Sequence, residues 1–162
     1  MDVIVALQKF IDVIAEGTIV FLLSCLPIGE LRIGIPYGIA ALDMDIMPTL
    51  IWAITGNTLA GIFVLLYIDR FVQFLLARSV LLHKYAKKYL DRLHVTHVDR
   101  FNKWGAFFLA AFITIPFPGT GAWTAALLAY LFNIPFRLAA LSIFVGVAIS
   151  GIMVASITGL LV

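Results

Sequence analysis

The stretch Pro116-Phe117-Pro118-Gly119-Thr120-Gly121 interrupts the longest uncharged run of the chain and decides how that run can fold. The run extends from Trp104 to Phe136 and has 33 residues, whereas a membrane-spanning helix needs about 20. Because proline lacks a backbone N–H and glycine favours turns, a helix cannot continue through these six residues. The sequence therefore predicts two short helices joined by a break.

The two arms of this hairpin, Gly105–Ile115 and Ala122–Phe132, have 11 residues each. At a rise of 1.5 Å per residue each arm reaches about 16 Å, roughly half the hydrocarbon thickness. A re-entrant hairpin that enters and leaves on one side of the membrane fits this length. Non-helical backbone at that depth is tolerated only against protein or a water-filled cavity, so we expect the break to line a cavity.

The composition agrees with a membrane protein, since 63% of the residues are hydrophobic and 12% are charged. Globular domains average about 45–50% and about 25%. The net charge of +2 gives no basis for a nucleic-acid partner. One cysteine excludes an internal disulfide and a Cys-based zinc site, and no Walker, HExxH or GxGxxG motif occurs. We expect one all-α integral membrane domain without metal, cofactor or enzymatic activity.

Two further uncharged runs, Ile46–Ile68 and Leu138–Val162, have the length of single spanning helices. Eight of the eleven lysines and arginines lie between Arg70 and Lys103. The positive-inside rule therefore predicts that the connector 70–104 is cytoplasmic. Met1–Glu16 has the pattern of an amphipathic helix at the membrane interface.

The N-terminal half follows the same plan as the C-terminal half. Thr18–Leu26 is apolar, Pro27–Pro36 is a break, Tyr37–Leu42 is apolar again, and a spanning helix follows. One constant offset of 90 residues maps three glycines onto three others: Gly29 onto Gly119, Gly56 onto Gly146 and Gly61 onto Gly151. We predict an inverted repeat of two units, 17–69 and 105–162, each a re-entrant hairpin plus one transmembrane helix. Paired broken helices of this kind enclose the substrate site of many secondary transporters.

Glu30 and Arg32 are the charges that lie at the depth of the first break, and buried charges in membranes are functional candidates. Glu30 is expected near the N-terminus of the second half-helix, where a carboxylate gains from free N–H groups. A purely structural role stays open, in which Glu30 caps that helix and Arg32 pairs with Glu30 or with turn carbonyls. The remaining candidates for substrate or proton binding are polar or flexible residues of the first span and second break: Asn57, Pro118, Gly119, Thr120, Gly121, Trp123 and Thr124.

The motifs Glu30-Leu31-Arg32-Ile33-Gly34-Ile35-Pro36 and Pro116-Phe117-Pro118-Gly119-Thr120-Gly121-Ala122-Trp123-Thr124 resemble those of the prokaryotic small multi-drug export proteins. The layout is also similar to the DedA (VTT, SNARE-associated) superfamily. These resemblances imply a multi-pass protein of the prokaryotic inner membrane and proton-dependent transport, with a lipid-phosphate carrier as one substrate. DedA-type second hairpins carry an arginine beside the Pro-Gly turn, and this sequence has none there.

The favoured hypothesis is a proton-coupled secondary transporter in which Glu30 exchanges protons. Its substrate is either an amphiphilic cation paired by Glu30 or an anionic lipid headgroup paired by Arg32. The alternative is a non-transporting scaffold or assembly factor that contacts membrane lipid through its basic connector. Because half-spanning hairpins leave surfaces that a partner can cover, we expect a homodimer.

Overall fold

A computed structural model of the protein describes residues 2–78, 98–115 and 119–161. These residues form an all-helical fold with no strand among them. The helices are α1 (Asp2–Cys25), α2 (Leu31–Pro36), a π-helical turn (Tyr37–Ala41), α3 (Ile46–Arg78), α4 (Val98–Thr114), α5 (Ala122–Leu131) and α6 (Phe136–Leu161). The middle of the basic connector, residues 79–97, lies outside the described residues.

Two of the described helices are long and apolar enough to cross a membrane, as the sequence predicts. They are Ile46–Phe74 within α3 and Phe136–Leu161, which is α6. The helix α3 continues to Arg78, ten residues beyond the predicted end at Ile68. The prediction stops where the uncharged run stops, but charged residues do not interrupt the backbone hydrogen bonds of a helix. The helix α5 lies at the predicted place, whereas α4 ends beside the break as predicted but begins at Val98, seven residues before the predicted start at Gly105.

The helix α1 is continuous, whereas the sequence predicts an interfacial helix up to Glu16 and a separate half-helix from Thr18. Gly17 lies between these two predicted segments and does not interrupt the helix. A Cβ atom at this position would overlap the indole ring of Trp52 in α3. Gly17 therefore allows α1 to approach α3 and does not mark a boundary.

The first break is shorter than predicted, because the helix resumes at Leu31 instead of after Pro36. The N–H of Arg32 donates to the carbonyl of Gly29, and that of Gly34 donates to Glu30, at 3.0 and 3.1 Å. Pro36 has φ −59°, which suits a helix, but its ring nitrogen cannot donate a hydrogen bond. The ladder then widens into the π-helical turn, where the N–H of Leu42 reaches the carbonyl of Tyr37.

The turns that precede α3 and α6 have the same course, 90 residues apart. Asp43 and Asn133 each have φ 53°, a left-handed conformation that these two residue types tolerate. The next residue, Met44 or Ile134, is buried in the core. Each long helix then begins three residues after the left-handed residue. A backbone hydrogen bond closes its first turn, at 3.2 Å in α3 and at 3.0 Å in α6.

Glycines in the two long helices allow neighbouring helices to approach closely. A Cβ atom at Gly56 in α3 would lie 2.5 Å from the carbonyl oxygen of Phe21 in α1. A Cβ atom at Gly146 in α6 would lie 2.8 Å from the carbonyl oxygen of Ala110 in α4. The helix α1 thus packs against α3 and the helix α4 against α6, and the two long helices α3 and α6 pack against each other.

Candidate functional site

Glu30 ends the first break with an unusual backbone conformation. Its φ is 52° and its ψ is −142°, a region that residues with a side chain rarely adopt. Such a conformation costs on the order of 1–3 kcal/mol and persists where surrounding contacts hold the residue. The side chain is also buried, with 7% of its surface exposed. The chain therefore holds this carboxylate at one fixed place.

The carboxylate of Glu30 accepts hydrogen bonds from two other helices. Its Oε2 atom lies 3.2 Å from Nδ2 of Asn57 in α3 and 3.2 Å from the backbone nitrogen of Ala122 in α5. The backbone N–H of Trp123 also donates to this carboxylate. The sequence predicts that the Glu30 carboxylate interacts with the free N–H groups of its own half-helix. In the structure its side chain makes no capping hydrogen bond to α2. It caps the N-terminus of α5 instead, where helix N–H groups lack partners within the helix.

Gly121 leaves the space that the carboxylate fills. A Cβ atom at position 121 would overlap Cδ and both carboxylate oxygens of Glu30. The backbone of Gly121 is extended, with φ −115° and ψ −170°, which any residue can adopt. Glycine is therefore required at this position by the close approach of Glu30 and not by the backbone conformation.

Arg32 contacts the second break from the other direction. Its Nη2 atom donates to the carbonyl oxygen of Thr120 at 3.1 Å and to the hydroxyl of Thr120 at 2.9 Å. That hydroxyl donates in turn to the carbonyl of Ile115 at 2.7 Å. Of the two structural roles that the sequence leaves open for Arg32, the structure shows the contact with a turn carbonyl. The two breaks are thus joined by two contacts.

Asn57 is the polar side chain of α3 at this site, and 1% of its surface is exposed. The sequence leaves open whether it binds a neighbouring helix or the substrate. Its Nδ2 atom donates to Glu30, while its Oδ1 atom is buried and has no hydrogen-bond partner among the described residues. Buried acceptors without a donor are uncommon in folded proteins, so this oxygen marks a place where a donor can enter.

Trp123 connects α5 to the end of α1. Its Nε1 atom donates to the carbonyl of Cys25 at 3.1 Å, and the thiol of Cys25 donates to the carbonyl of Gly56 at 3.3 Å. Sequence reasoning missed Cys25 as a member of the site. The available signal was its position as the last residue of a helix, where carbonyl groups lack partners within the helix.

The structure brings six of the nine predicted residues together: Glu30, Arg32, Asn57, Thr120, Gly121 and Trp123. Gly119 lies beside them with φ 92°, in open space. Thr124 lies one residue further along α5 and lines a cavity. Pro118 lies outside the described residues.

The cavity next to the site has a volume of about 470 Å³. It is a groove between α3 and α5, and Trp123 belongs both to its wall and to the site. Its lining is aromatic and aliphatic, with the hydroxyl of Thr124 as a polar group. Its main members are Phe63, Tyr67 and Phe71 of α3 and Trp123, Thr124 and Leu127 of α5. The sequence predicts a cavity along the break, but it did not single out the residues from α3.

The chemistry of the site is that of hydrogen-bond donors around one carboxylate. Within residues 2–78, 98–115 and 119–161, no three His, Cys, Asp or Glu side chains lie close enough to hold a metal ion. The pair His94 and His97 lies outside these ranges. The donors to this carboxylate comprise two backbone N–H groups and one amide, and the guanidinium of Arg32 donates to Thr120. Such a group can hold an oxyanion or stabilise a carboxylate that gains and loses a proton.

A comparison with protein families identifies the chain. The sequence pattern of the family described as "Putative small multi-drug export protein" matches residues 30–153, which begin at Glu30, the last residue of the first break, and include the whole second break. A search of curated proteins found no match, and neither did a search of solved structures. With the two apolar helices, the family indicates a membrane location. Because the match covers most of the chain, this protein belongs to the small multi-drug export protein family.

Proposed function

We propose that this protein is a proton-coupled secondary transporter that moves a small amphiphilic or lipid-linked substrate across the prokaryotic inner membrane. Glu30 is the proton carrier in this proposal. The observation that carries it is the buried carboxylate of Glu30, which bonds to the N-terminus of α5 and so joins the two breaks. The family name supports export as the general activity.

The contacts between the breaks support the inverted repeat that the proposal requires. Glu30 bonds to Ala122, and Arg32 bonds to Thr120. At the offset of 90 residues, position 30 corresponds to 120 and position 32 to 122, so each contact is the counterpart of the other. Contacts that exchange in this way are expected around a two-fold axis. The matching turns at Asp43 and Asn133 and the matching starts of α3 and α6 agree with the same offset.

The proposed orientation follows from this repeat. A re-entrant hairpin adds no crossing and each long helix adds one, so the two units enter the membrane from opposite sides. With the connector 70–104 in the cytoplasm, the turn at Asp43 lies outside and the turn at Asn133 lies inside. The apolar outer surface of α3, which includes Leu59 and Leu66, faces lipid or a second copy in the homodimer that we propose.

Protonation of Glu30 provides the coupling step. The ionised carboxylate holds two backbone N–H groups of α5 and the amide of Asn57. A neutral carboxyl group binds these donors less strongly, because hydrogen bonds to an ionised acceptor are roughly twice as strong as neutral ones. Protonation therefore weakens the contact between the two breaks and lets the site open.

Proton movement in reconstituted vesicles tests the proposal. The vesicles contain a pH-sensitive dye, and the probes are ethidium, a lipophilic cation, and octanesulfonate, an amphiphilic anion. We expect at least one probe to drive a pH change that is lost in Glu30→Gln. The control is Glu16→Gln, because Glu16 in α1 is the other glutamate of the chain and makes no contact with the site. Equal proton movement in the Glu30→Gln variant, or none with either probe, would contradict the proposal.

A further inference from the structure

The N-terminus of α5 is a site for an anion, and in the described conformation a side chain of the protein fills it. The backbone N–H groups of Ala122 and Trp123 both donate to the carboxylate of Glu30. Nδ2 of Asn57 reaches the same carboxylate from α3, and the guanidinium of Arg32 lies two residues away along the chain. We call these four groups the donor cluster. Each of them is a hydrogen-bond donor, and one is a cation.

The carbonyl and carboxylate acceptors around the donor cluster are already occupied, which leaves a cationic ligand only the neutral Oδ1 atom of Asn57. The carbonyl of Thr120 accepts from Arg32, and the carbonyl of Cys25 accepts from Trp123. The carboxylate of Glu30 itself accepts three hydrogen bonds from other helices. A cation would have to replace these donors, whereas an anion needs only to replace Glu30.

The apolar cavity adjoins the donor cluster through one shared residue, Trp123. Trp123 contributes its backbone N–H to the cluster and its indole ring to the cavity wall. At about 470 Å³ the cavity falls in the range of small-molecule sites, about 300–1,000 Å³. A ligand that binds both regions must have an oxyanion at one end and an apolar body at the other.

We propose that the ligand of this transporter is an amphiphilic oxyanion, whose charged group replaces the carboxylate of Glu30 at the donor cluster while its apolar part fills the cavity. This inference rests on the proposed function and selects one of the two substrate classes that the sequence leaves open. The Glu30 carboxylate is a tethered competitor for the ligand. Because it must leave the donor cluster, and leaves most readily in its neutral form, binding of the anion is linked to uptake of a proton.

The groups around Glu30 agree with this exchange. Among the described residues, Arg32 is the charged side chain that interacts electrostatically with the Glu30 carboxylate. The buried polar side chains of α6, which packs against α2, are neutral: Ser142, Ser150 and Thr158. From α1 the titratable residue in contact with the site is Cys25, whose thiol donates to the carbonyl of Gly56 and whose carbonyl accepts from Trp123. The unpartnered Oδ1 atom of Asn57 can accept the hydroxyl hydrogen of a protonated Glu30 after rotation of the amide.

Binding to the purified full chain in neutral detergent tests the inference. The probe is octanesulfonate, an oxyanion whose charge does not change between pH 5 and 8. We expect its affinity to rise at least fivefold between pH 8 and pH 5, with proton uptake. In Glu30→Gln and Glu30→Ala the affinity at pH 8 should rise at least tenfold and lose its pH dependence. Arg32→Gln should weaken binding at least tenfold, while Glu16→Gln should behave as the unchanged protein.

Three companion ligands decide what is recognised. Octanol carries only the apolar part, inorganic sulfate carries only the charged group, and octyltrimethylammonium reverses the charge. Octanol binding as tightly as octanesulfonate would overturn the oxyanion site. Sulfate binding as tightly would overturn the placement of the apolar part in the cavity. Saturable binding of the cation that is lost in Glu30→Gln would overturn the whole inference.

The failure of this inference is distinguishable from the failure of the proposed function. Unchanged affinity of octanesulfonate in both Glu30 variants would refute the exchange. If ethidium still drove proton movement that depends on Glu30, the transporter would stand with a cationic substrate. Loss of that proton movement as well would refute the proposed function.

Discussion

The substitution Gly121→Ala isolates the contact between Glu30 and α5. An added Cβ atom would occupy the place of the Glu30 carboxylate. Alanine can adopt the extended backbone of position 121, so the effect is steric and not conformational. The carboxylate must therefore move away from the backbone N–H groups of Ala122 and Trp123, which are buried at this place.

The size of the effect follows from the lost hydrogen bonds. A hydrogen bond to a charged group contributes about 1.5–3 kcal/mol. Loss of two such bonds should lower the free energy of unfolding by about 3–6 kcal/mol. The control is Gly119→Ala, where φ is 92° and no atom lies within 4 Å of the added Cβ. Only backbone strain applies there, which costs about 1–2 kcal/mol.

Unfolding in mixed detergent micelles measures these energies, and a double-mutant cycle identifies their cause. If Gly121→Ala acts by displacing the carboxylate, Glu30→Ala removes the same hydrogen bonds in advance. The double variant should then be about 3 kcal/mol more stable than the sum of the two single effects predicts. A Gly121→Ala effect no larger than that of Gly119→Ala, or additivity with Glu30→Ala, would refute the reasoning.

The same unfolding measurement tests three other contacts, each through one substitution, two of them with a matched control. Gly56→Ala should lower the free energy of unfolding by about 2–4 kcal/mol, because its Cβ would meet the backbone of Phe21. Gly151→Ala should cost less than about 1 kcal/mol, since its Cβ would lie 3.2 Å from a side-chain atom of Ile54. Equal costs would contradict the close crossing. Trp123→Phe keeps the ring but loses the bond to the carbonyl of Cys25, and should cost about 1 kcal/mol; a neutral result would show that this bond is not needed. Asn57→Leu removes one donor from Glu30 and should cost about 1.5–3 kcal/mol, while Asn57→Gln, which can still donate, should cost less; the reverse order would contradict the role of the amide.

The sequence predicts the parts of this fold that depend on length and on local chemistry. An uncharged run of 33 residues with a Pro-Gly break predicts two short helices, and the structure has a helix on each side of the break, although α4 begins seven residues before the predicted arm. The prediction is wrong where a breaking residue lies next to a tertiary partner. Gly17 stays helical because it accommodates Trp52, and the helix α2 includes Gly34 and Pro36.

The sequence predicts which residues belong to the candidate site, but not which of them contact each other. Glu30 and Arg32 stand out because charges are rare at the depth of a break. Periodicity shows which residues share a helix face, but it cannot show that a side chain at position 30 reaches the backbone at position 122. That contact depends on how the two halves are rotated against each other. The cavity residues Phe63, Tyr67 and Phe71 were missed for the same reason, since aromatic side chains are common on helices that face lipid.

In the proposed repeat the two units contribute different chemical groups to the corresponding contacts. At the two corresponding contacts the first unit contributes the charges, Glu30 and Arg32, while the second contributes backbone groups and the hydroxyl of Thr120. At these contacts a change of charge can therefore occur only on side chains of the first unit. The space for the Glu30 carboxylate is set by the second unit, at Gly121. A proton that neutralises Glu30 acts on one of the two contacts and leaves that of Arg32 in place. Because the two contacts lie on either side of the proposed axis, we expect neutralisation of Glu30 to favour opening on one side, and this asymmetry would give the proposed transporter a direction.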